Sequence, residues 1–157
     1  MNRTGVVLFV ALLVATAAVA AVVVHARTPD LELQVTRFGG ELCPRGPLAQ
    51  CRHAAQREHP NSSRPVRRTA RLGFFVRESD PNATVEIVGP NLSRIRVLYR
   101  GPLAANEPLS YAWNGRDAAG RLVNPRHLYR LRVILPSRDR DMVYPRRIEV
   151  LVPGARK

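Results

Sequence analysis

The segment YAWNGRDAAGRLV, residues 111–123, holds the side chains whose types and spacing come closest to a chemical site. Asn114 and Asp117 could supply oxygen ligands to a cation. A calcium loop, however, surrounds its ion with about six to eight oxygen atoms, and Arg116 and Arg121 place positive charge among the few available here. We therefore expect no metal in this segment.

A hard turn accounts for the same segment without a bound ion. Gly115 and Gly120 permit positive φ, and the Asp117 carboxylate can accept hydrogen bonds from backbone amides in the bend. Trp113 ends an alternating strand on its inward face, where its large ring fits a core, and Tyr129 points inward from the strand after the turn. We assign these five residues to a structural turn and the adjoining core.

The two cysteines, Cys43 and Cys51, are close enough in sequence to pair. A bond closing so short a loop stabilises the fold by about 2.5 kcal/mol through chain entropy, and such bonds persist outside the cytosol. Two free thiols are one alternative. A metal site with His53 and His59 is another, although the cysteine spacing matches no zinc pattern. We favour the disulfide.

Catalytic motifs are missing from the sequence. There is no Gly-x-Ser-x-Gly, no His-Glu-x-x-His and no phosphate-binding loop. The histidines fall in juxtamembrane or loop contexts: His25, His53, His59 and His127. We therefore predict a protein that is not an enzyme and that carries no cofactor.

The net charge of +13, with 24 arginines and one lysine, indicates a partner of opposite charge. Nucleic acid, acidic lipid and an acidic wall polymer all fit such an excess. Genome base composition can produce the preference for arginine over lysine, but it does not explain the excess of basic over acidic residues. Specific nucleic-acid binding is disfavoured, because aromatic residues do not interleave with the arginines on exposed faces.

Residues 5–24 form an uncharged apolar run of 20 residues. As a helix, this run spans about 30 Å, the thickness of a bilayer core. Cleavage sites of signal-peptide type exist at residues 18–20 and 24–26, but the run is longer than the apolar region of a signal peptide. We therefore predict an uncleaved single-pass anchor after a cytoplasmic tail at 1–4. Because disulfides persist outside the cytosol, we place the following domain on the extracytoplasmic side of the cell membrane.

Period-2 alternation of apolar residues dominates the rest of the chain and predicts an all-β sandwich over residues 31–152, with a tail at 153–157. Residues 39–69 are predicted as an inserted loop that carries the cysteines and one short helix near 48–59. The predicted strands are 31–38, 72–76, 84–88, 94–100, 109–113, 129–135 and 148–152.

The segment WNGRDAAGR at 113–121, with YRLRV at 129–133, resembles the immunoglobulin-like (Ig-like) domain of the flagellar hook-capping protein. Residues 69–76 and 83–88 resemble its earlier strands, and 144–148 resembles the last strand of membrane-anchored versions from actinobacteria. The resemblance spans roughly residues 31–152. It implies an Ig-like or fibronectin-III-like sandwich with a structural or adhesive role and no catalysis.

The sequence departs from that family in two places. The loop that often binds a cation in the family is replaced by PNSSRP at residues 60–65, which has no carboxylate. A glycine that commonly precedes the strand tyrosine is absent, and Arg126, His127 and Leu128 stand there instead. The first departure argues against calcium, and the second leaves the geometry of that turn open.

Alternation also predicts a row of arginines on one face of the sheet. If Ile95, Val97 and Tyr99 point inward, as do the apolar residues of 129–135, the arginines between them point outward. In an Ig-like sandwich we expect these two strands to be neighbours. The row is either a solvated face, relieved by counter-ions and the nearby Glu149, or an anion-binding surface. Its members are Arg94, Arg96, Arg100, Arg130, Arg132 and Arg147.

Two functional hypotheses follow from these observations. In the first, a non-enzymatic single-pass envelope protein uses its sandwich as an interaction or scaffolding module for an envelope protein partner. In the second, the basic sheet face binds a polyanion, which could be a wall polymer, anionic lipid or nucleic acid. Steep salt dependence of binding distinguishes the second hypothesis. The identity of the partner and the oligomeric state are open at this point.

Overall fold

A computed structural model describes residues 33–153. The predicted cytoplasmic tail at 1–4 and anchor at 5–24 lie outside the described residues, as does most of the predicted tail at 153–157. Within the described range, no helix has the length and apolar character needed to cross a bilayer.

The described residues form ten strands, one α-helix (α1, Leu48–Glu58) and two short 3₁₀ helices, Pro90–Leu92 and Pro136–Arg138. The strands are β1 (Leu33–Phe38), β2 (Glu41–Leu42), β3 (Val66–Arg67), β4 (Ala70–Val76), β5 (Asp80–Val88), β6 (Arg94–Leu103), β7 (Leu109–Trp113), β8 (Leu128–Leu135), β9 (Arg140–Val143) and β10 (Ile148–Val150).

Two sheets enclose the core in a sandwich-like arrangement. The smaller sheet has the order β1–β4–β7, and the larger has the order β3–β2–β10–β8–β5–β6. Strand β9 pairs with the end of β8, beyond β10 on the same edge. The prediction of a mostly β, sandwich-like fold is therefore confirmed.

Alternating apolar residues build the core between the two sheets. On β8, Tyr129, Leu131 and Val133 are buried, while Arg130 and Arg132 between them are only half-buried. Strands β4 and β7 contribute the largest side chains, Phe74 and Trp113, from the smaller sheet. Because strand residues alternate between faces, these runs bury one face and leave the other to polar groups.

The predicted loop at 39–69 contains more structure than expected. The short helix is present as α1, but β2 and β3 flank it as two-residue strands. Strand β2 pairs in parallel with β10 and with β3. The prediction of a plain loop is wrong here, because strands this short have no readable alternation and form only through long-range pairing.

The predicted neighbours 94–100 and 129–135 do not pair. Strand β5 lies between β6 and β8 and pairs with both in antiparallel register. This prediction is wrong because β5 extends over nine residues and is buried on both faces near its end, where Val85 to Val88 are all buried. A strand covered on both faces belongs in the middle of a sheet.

Irregular pairing between β5 and β6 also changes which side chains of β6 point inward. The register shifts between Val85 and Glu86 and again between Ile87 and Val88. An extra residue in one strand reverses the alternation beyond it. As a result Ile95, Leu98 and Tyr99 pack on the core, whereas the predicted inward residue Val97 pairs with Glu86 on the opposite face.

Candidate functional site

Asp117 organises the turn at 111–123. Its Oδ1 accepts a hydrogen bond from the Arg121 amide at 2.9 Å, and its Oδ2 lies 3.1 Å from Arg121 Nε. The hydrogen bond from the Arg121 backbone amide, and after it the Arg121 guanidinium, holds the pKa of Asp117 below its ordinary value. Gly115 and Gly120 have φ of 74° and 78°. Both carboxylate oxygens are thus engaged by Arg121, and the geometry is that of a turn.

The same turn is attached to the core by two aromatic side chains. Trp113 Nε1 donates to the Arg116 carbonyl at 2.9 Å, and the Trp113 ring meets the Tyr129 ring edge-on at a centroid distance of 5.2 Å. Tyr129 Oη donates to the Asn124 carbonyl at 2.8 Å. Because each of these polar atoms has a hydrogen-bond partner, both rings fill the core without leaving a buried donor unpaired.

Cys43 and Cys51 form a disulfide, and both residues are fully buried. The predicted bond is confirmed, so these sulfurs are not metal ligands. Among residues 33–153, one group could donate three ligand atoms to a cation: Glu58, His59 and Glu149, whose atoms lie within 4.8 Å of one another. A hydrogen bond already accounts for part of that proximity, because His59 Nε2 is 3.0 Å from Glu149 Oε2.

Two members of the predicted arginine row are paired with acids. Glu86 is fully buried on β5, and its carboxylate lies 2.6 Å from Arg94 Nε and 3.2 Å from Arg132 Nη1. Arg132 also forms a bidentate ion pair with Asp141 on β9. This ion pair lowers the pKa of Asp141 and raises the pKa of Arg132. The charge of these two arginines is therefore largely neutralised within the sheet.

The remaining members of the row do not form one continuous surface. Arg96 pairs in register with Ile87, a core residue, and so leaves the outward face, whereas Arg100 pairs with Thr84 and stays on it. Arg130 and Arg147 lie across β5 from both and line a separate cleft of about 420 Å³. The bulges in β6 and the central position of β5 together divide the predicted row.

That cleft contains two exposed leucines. Leu92 is 45% exposed and Leu128 is 40% exposed, and within residues 33–153 they are the most exposed large apolar side chains. We call Leu92, Leu128, Arg126, Arg130 and Arg147 the leucine–arginine patch. None of its three guanidiniums pairs with a carboxylate in the described chain. The departure at 126–128 from the hook-capping pattern lies within this patch.

The backbone before β6 holds Leu92 outward. Asn91 and Leu92 both adopt left-handed conformations, with φ of 54° and 58°. The turn is closed by the Gly89 amide, which donates to the Ser93 carbonyl at 2.9 Å, and by Ser93 Oγ, which donates to the Pro90 carbonyl at 2.9 Å. Non-glycine residues in this region are strained, and such strain clusters at binding sites.

Sequence reasoning missed a second cleft, of about 460 Å³, which five arginines line together with Phe38, Gly39, Gly40 and Pro65. We call it the arginine cleft. All five arginines are exposed, and none is paired with a carboxylate in the part of the chain that the structure describes. They are Arg37, Arg64, Arg67, Arg71 and Arg146.

The arginine cleft forms where the chain crosses from β1 in the smaller sheet to β2 in the larger one. On one side, Arg37 pairs in register with Gly73 of β4, two residues from Arg71 on the same face. On the other, Arg64 lies over Gly40: a Cβ there would come within 3.1 Å of Arg64 Nη1. Both glycines thus leave room for an arginine side chain.

A weak sequence signal for the arginine cleft existed. Residues 64–71 contain four arginines, and Arg146 stands in a turn before β10. Nothing in their spacing places these near Arg37, because only the crossing at Gly39 and Gly40 brings them together. The neighbouring Glu41 is buried and accepts a hydrogen bond from Ser62 Oγ at 3.1 Å.

Comparison with known proteins gives little further information. No protein-family model matches the chain, and no curated protein matches it significantly. Among solved structures, the chain is similar to FlgD from P. aeruginosa, the flagellar hook-capping protein, with a TM-score of 0.39 and 19% sequence identity. The match covers 48% of this chain and 57% of that chain. This is weak similarity at the level of fold and carries no functional inference.

Proposed function

We propose that the chain is a non-enzymatic single-pass protein of the bacterial cell envelope whose extracytoplasmic Ig-like domain serves as an interaction module. The observation that carries this proposal is the leucine–arginine patch, in which two exposed leucines lie among guanidiniums without carboxylate partners. The anchor and the location rest on the apolar run at 5–24 and on the disulfide, which persists outside the cytosol.

Two features support the Ig-like assignment. Strands β1, β4 and β7 oppose β6, β5, β8 and β10, so the third strand of the sandwich and the one after it share a sheet with the last two, as in Ig-related sandwiches. Tyr129 stands at the start of β8 and bonds the carbonyl of Asn124 five residues upstream. This is the arrangement of the tyrosine corner in such domains.

The chemistry of the patch fits an acidic partner protein that presents apolar side chains. Covering exposed leucine side chains with a partner protein is favourable by about 25 cal/mol per Å² of apolar surface removed from water. The guanidiniums of Arg126, Arg130 and Arg147 select carboxylates around that apolar centre, since Arg forms paired hydrogen bonds with them. A partner with basic residues at its rim is excluded by repulsion.

Photocrosslinking in the native membrane tests this proposal. A photoreactive amino acid replaces Leu92 or Leu128 in the full chain, and the adducts are identified by mass spectrometry. We expect both positions to capture the same protein, and an additional Arg130→Gln/Arg147→Gln change to reduce that capture. Arg130 is only partly buried and Arg147 is exposed, so the double change should leave the fold intact. A loss of capture would then reflect the lost charged contacts with the partner.

Ser110 is the matched control position, since it is exposed on β7 in the other sheet. We expect no capture of the same protein from there. The proposal fails if positions 92, 110 and 128 give the same set of adducts, or if the arginine changes leave capture at 92 and 128 unaltered.

A further inference from the structure

The arginine cleft shares no lining residue with the leucine–arginine patch. Five arginines line its volume of about 460 Å³, and its lining contains no acidic side chain. Like charges this close repel one another unless a counter-charge is present. We propose that the arginine cleft binds a chain of linked phosphates, as found in a phosphodiester wall polymer.

The shape of the site is prepared before any ligand arrives. Gly40 lets Arg64 lie against the backbone, and Gly73 lets Thr36 and Arg37 approach β4. An added Cβ would come within 3.1 Å of Arg64 Nη1 at Gly40 and within 3.1 Å of Arg37 Cβ at Gly73. Phe38 lines the cleft and is held by the Tyr144 ring at a centroid distance of 5.0 Å. Arginine side chains that are partly ordered in advance lose less entropy when they bind.

Phosphate fits this site better than carboxylate because of charge density. A guanidinium binds either group through paired hydrogen bonds. A chain of linked phosphates, however, places several negative charges within the length of one cleft, and five arginines need several charges to be neutralised together. Glu41, which follows Gly40 in the chain, does not line the cleft; it is buried and accepts a hydrogen bond from Ser62.

The cleft also discriminates among phosphate sources. Its two walls come from different sheets, Arg37 and Arg71 from the smaller sheet and Arg67 from the larger. A flexible chain can enter between these walls, whereas a flat bilayer would contact only the rim. Nucleic acid would need aromatic side chains on which its bases could stack, and Phe38 is the only aromatic residue in the lining.

Binding of the full chain to fluorescently labelled inorganic polyphosphate, followed by anisotropy across a salt series, tests the proposal. The Arg37→Gln/Arg71→Gln variant should bind about tenfold more weakly. It should also lower the salt slope by about two, one for each lost phosphate contact. Because Arg37 and Arg71 are exposed, thermal unfolding should be unchanged. If that variant does not fold, Arg64→Gln/Arg67→Gln is expected to weaken binding in the same way.

The matched control is Arg96→Gln/Arg100→Gln, which removes the same charge from β6. It should change affinity by less than about threefold, since charges that do not line the cleft contribute only screened, long-range attraction. Equal losses in both variants would overturn the proposal in favour of diffuse attraction. Equal competition by polyglutamate would overturn the assignment to phosphate. Binding to phosphatidylglycerol vesicles, with none to polyphosphate, would overturn the assignment to a phosphate chain in favour of a membrane surface. Binding to single-stranded DNA, with none to polyphosphate, would overturn the choice against nucleic acid.

Discussion

Glu86 is the residue that most changes the interpretation of the basic surface. It is fully buried on β5 and contacts Arg94 and Arg132. A buried carboxylate is tolerated only when paired, so these two arginines serve the fold before they can serve a ligand. Arginines without such partners, as in the arginine cleft, are the better candidates for binding.

We expect Glu86→Gln to lower the free energy of unfolding by about 2 kcal/mol, the worth of hydrogen bonds to charged groups. The change keeps the shape of the side chain but removes its charge from between two guanidiniums. Arg94 is 54% exposed and can be hydrated, which keeps the cost below that of breaking a fully buried pair. Urea denaturation of the full chain measures the difference.

Glu78→Gln provides the isosteric control for that measurement. Glu78 lies 3.6 Å from Arg138, and both side chains are about half exposed. Exposed ion pairs contribute about 0–1 kcal/mol. If Glu78→Gln proved as costly as Glu86→Gln, the special role assigned to the buried carboxylate would be wrong.

At the scale of elements, the disulfide joins β2 and α1 into a small second cluster. Cys43, Cys51, Ala55 and Leu151 are buried together, separately from the main core. Strands β2 and β3 are only two residues long, and strand pairing over so short a length is not stable by itself. The disulfide therefore stabilises a region in which strand pairing is limited.

Replacing both cysteines by alanine should lower the free energy of unfolding by about 2.5 kcal/mol, as the unfolded chain regains loop entropy. Hydrogen exchange should accelerate in α1 and β2 first, while β8 in the main core stays protected. A reducing agent should reproduce the loss in the parent protein and have no effect on the double variant. Unchanged stability of the double variant would show that the bond is dispensable.

At the scale of the whole molecule, acidic residues are few, and several of them contact nearby basic residues. The chain has 12 acidic against 25 basic residues, and Asp117, Glu86, Asp141 and Glu149 all engage basic partners. Eight of the arginines line two separate clefts rather than one face: Arg37, Arg64, Arg67, Arg71 and Arg146 in one, and Arg126, Arg130 and Arg147 in the other. With this net charge, we expect binding to any polyanion to weaken steeply as salt is added.

The topology proposed for the whole chain gives another expected outcome. A reporter that is active only after export, fused after Lys157, should be active in cells, because the 5–24 run is expected to carry the domain across the membrane. Deleting residues 5–24 should abolish that activity and leave Cys43 and Cys51 reduced. Activity of a second reporter that works only in the cytosol, fused at the same position of the undeleted chain, would contradict the proposed location.

The sequence by itself determined the class of fold and the features formed by residues close together in the chain, namely a turn and the disulfide. Alternation located most strands, including β4, β7 and β8, because sheet faces repeat every two residues. The glycines and aspartate of the 111–123 segment predicted a turn, and the cysteine spacing predicted the disulfide. Each of these inferences uses residues close together in sequence, where covalent geometry limits the outcome.

Only the tertiary structure decided which strands are neighbours and which arginines meet. The bulges in the β5–β6 pair turned Val97 outward and Arg96 out of the predicted row, because one extra residue reverses alternation without any compositional sign. The arginine cleft joins Arg37 to Arg146 across more than a hundred residues through a crossing between sheets. Long-range pairing of that kind depends on the packing of the whole core, so no local pattern could have predicted the site.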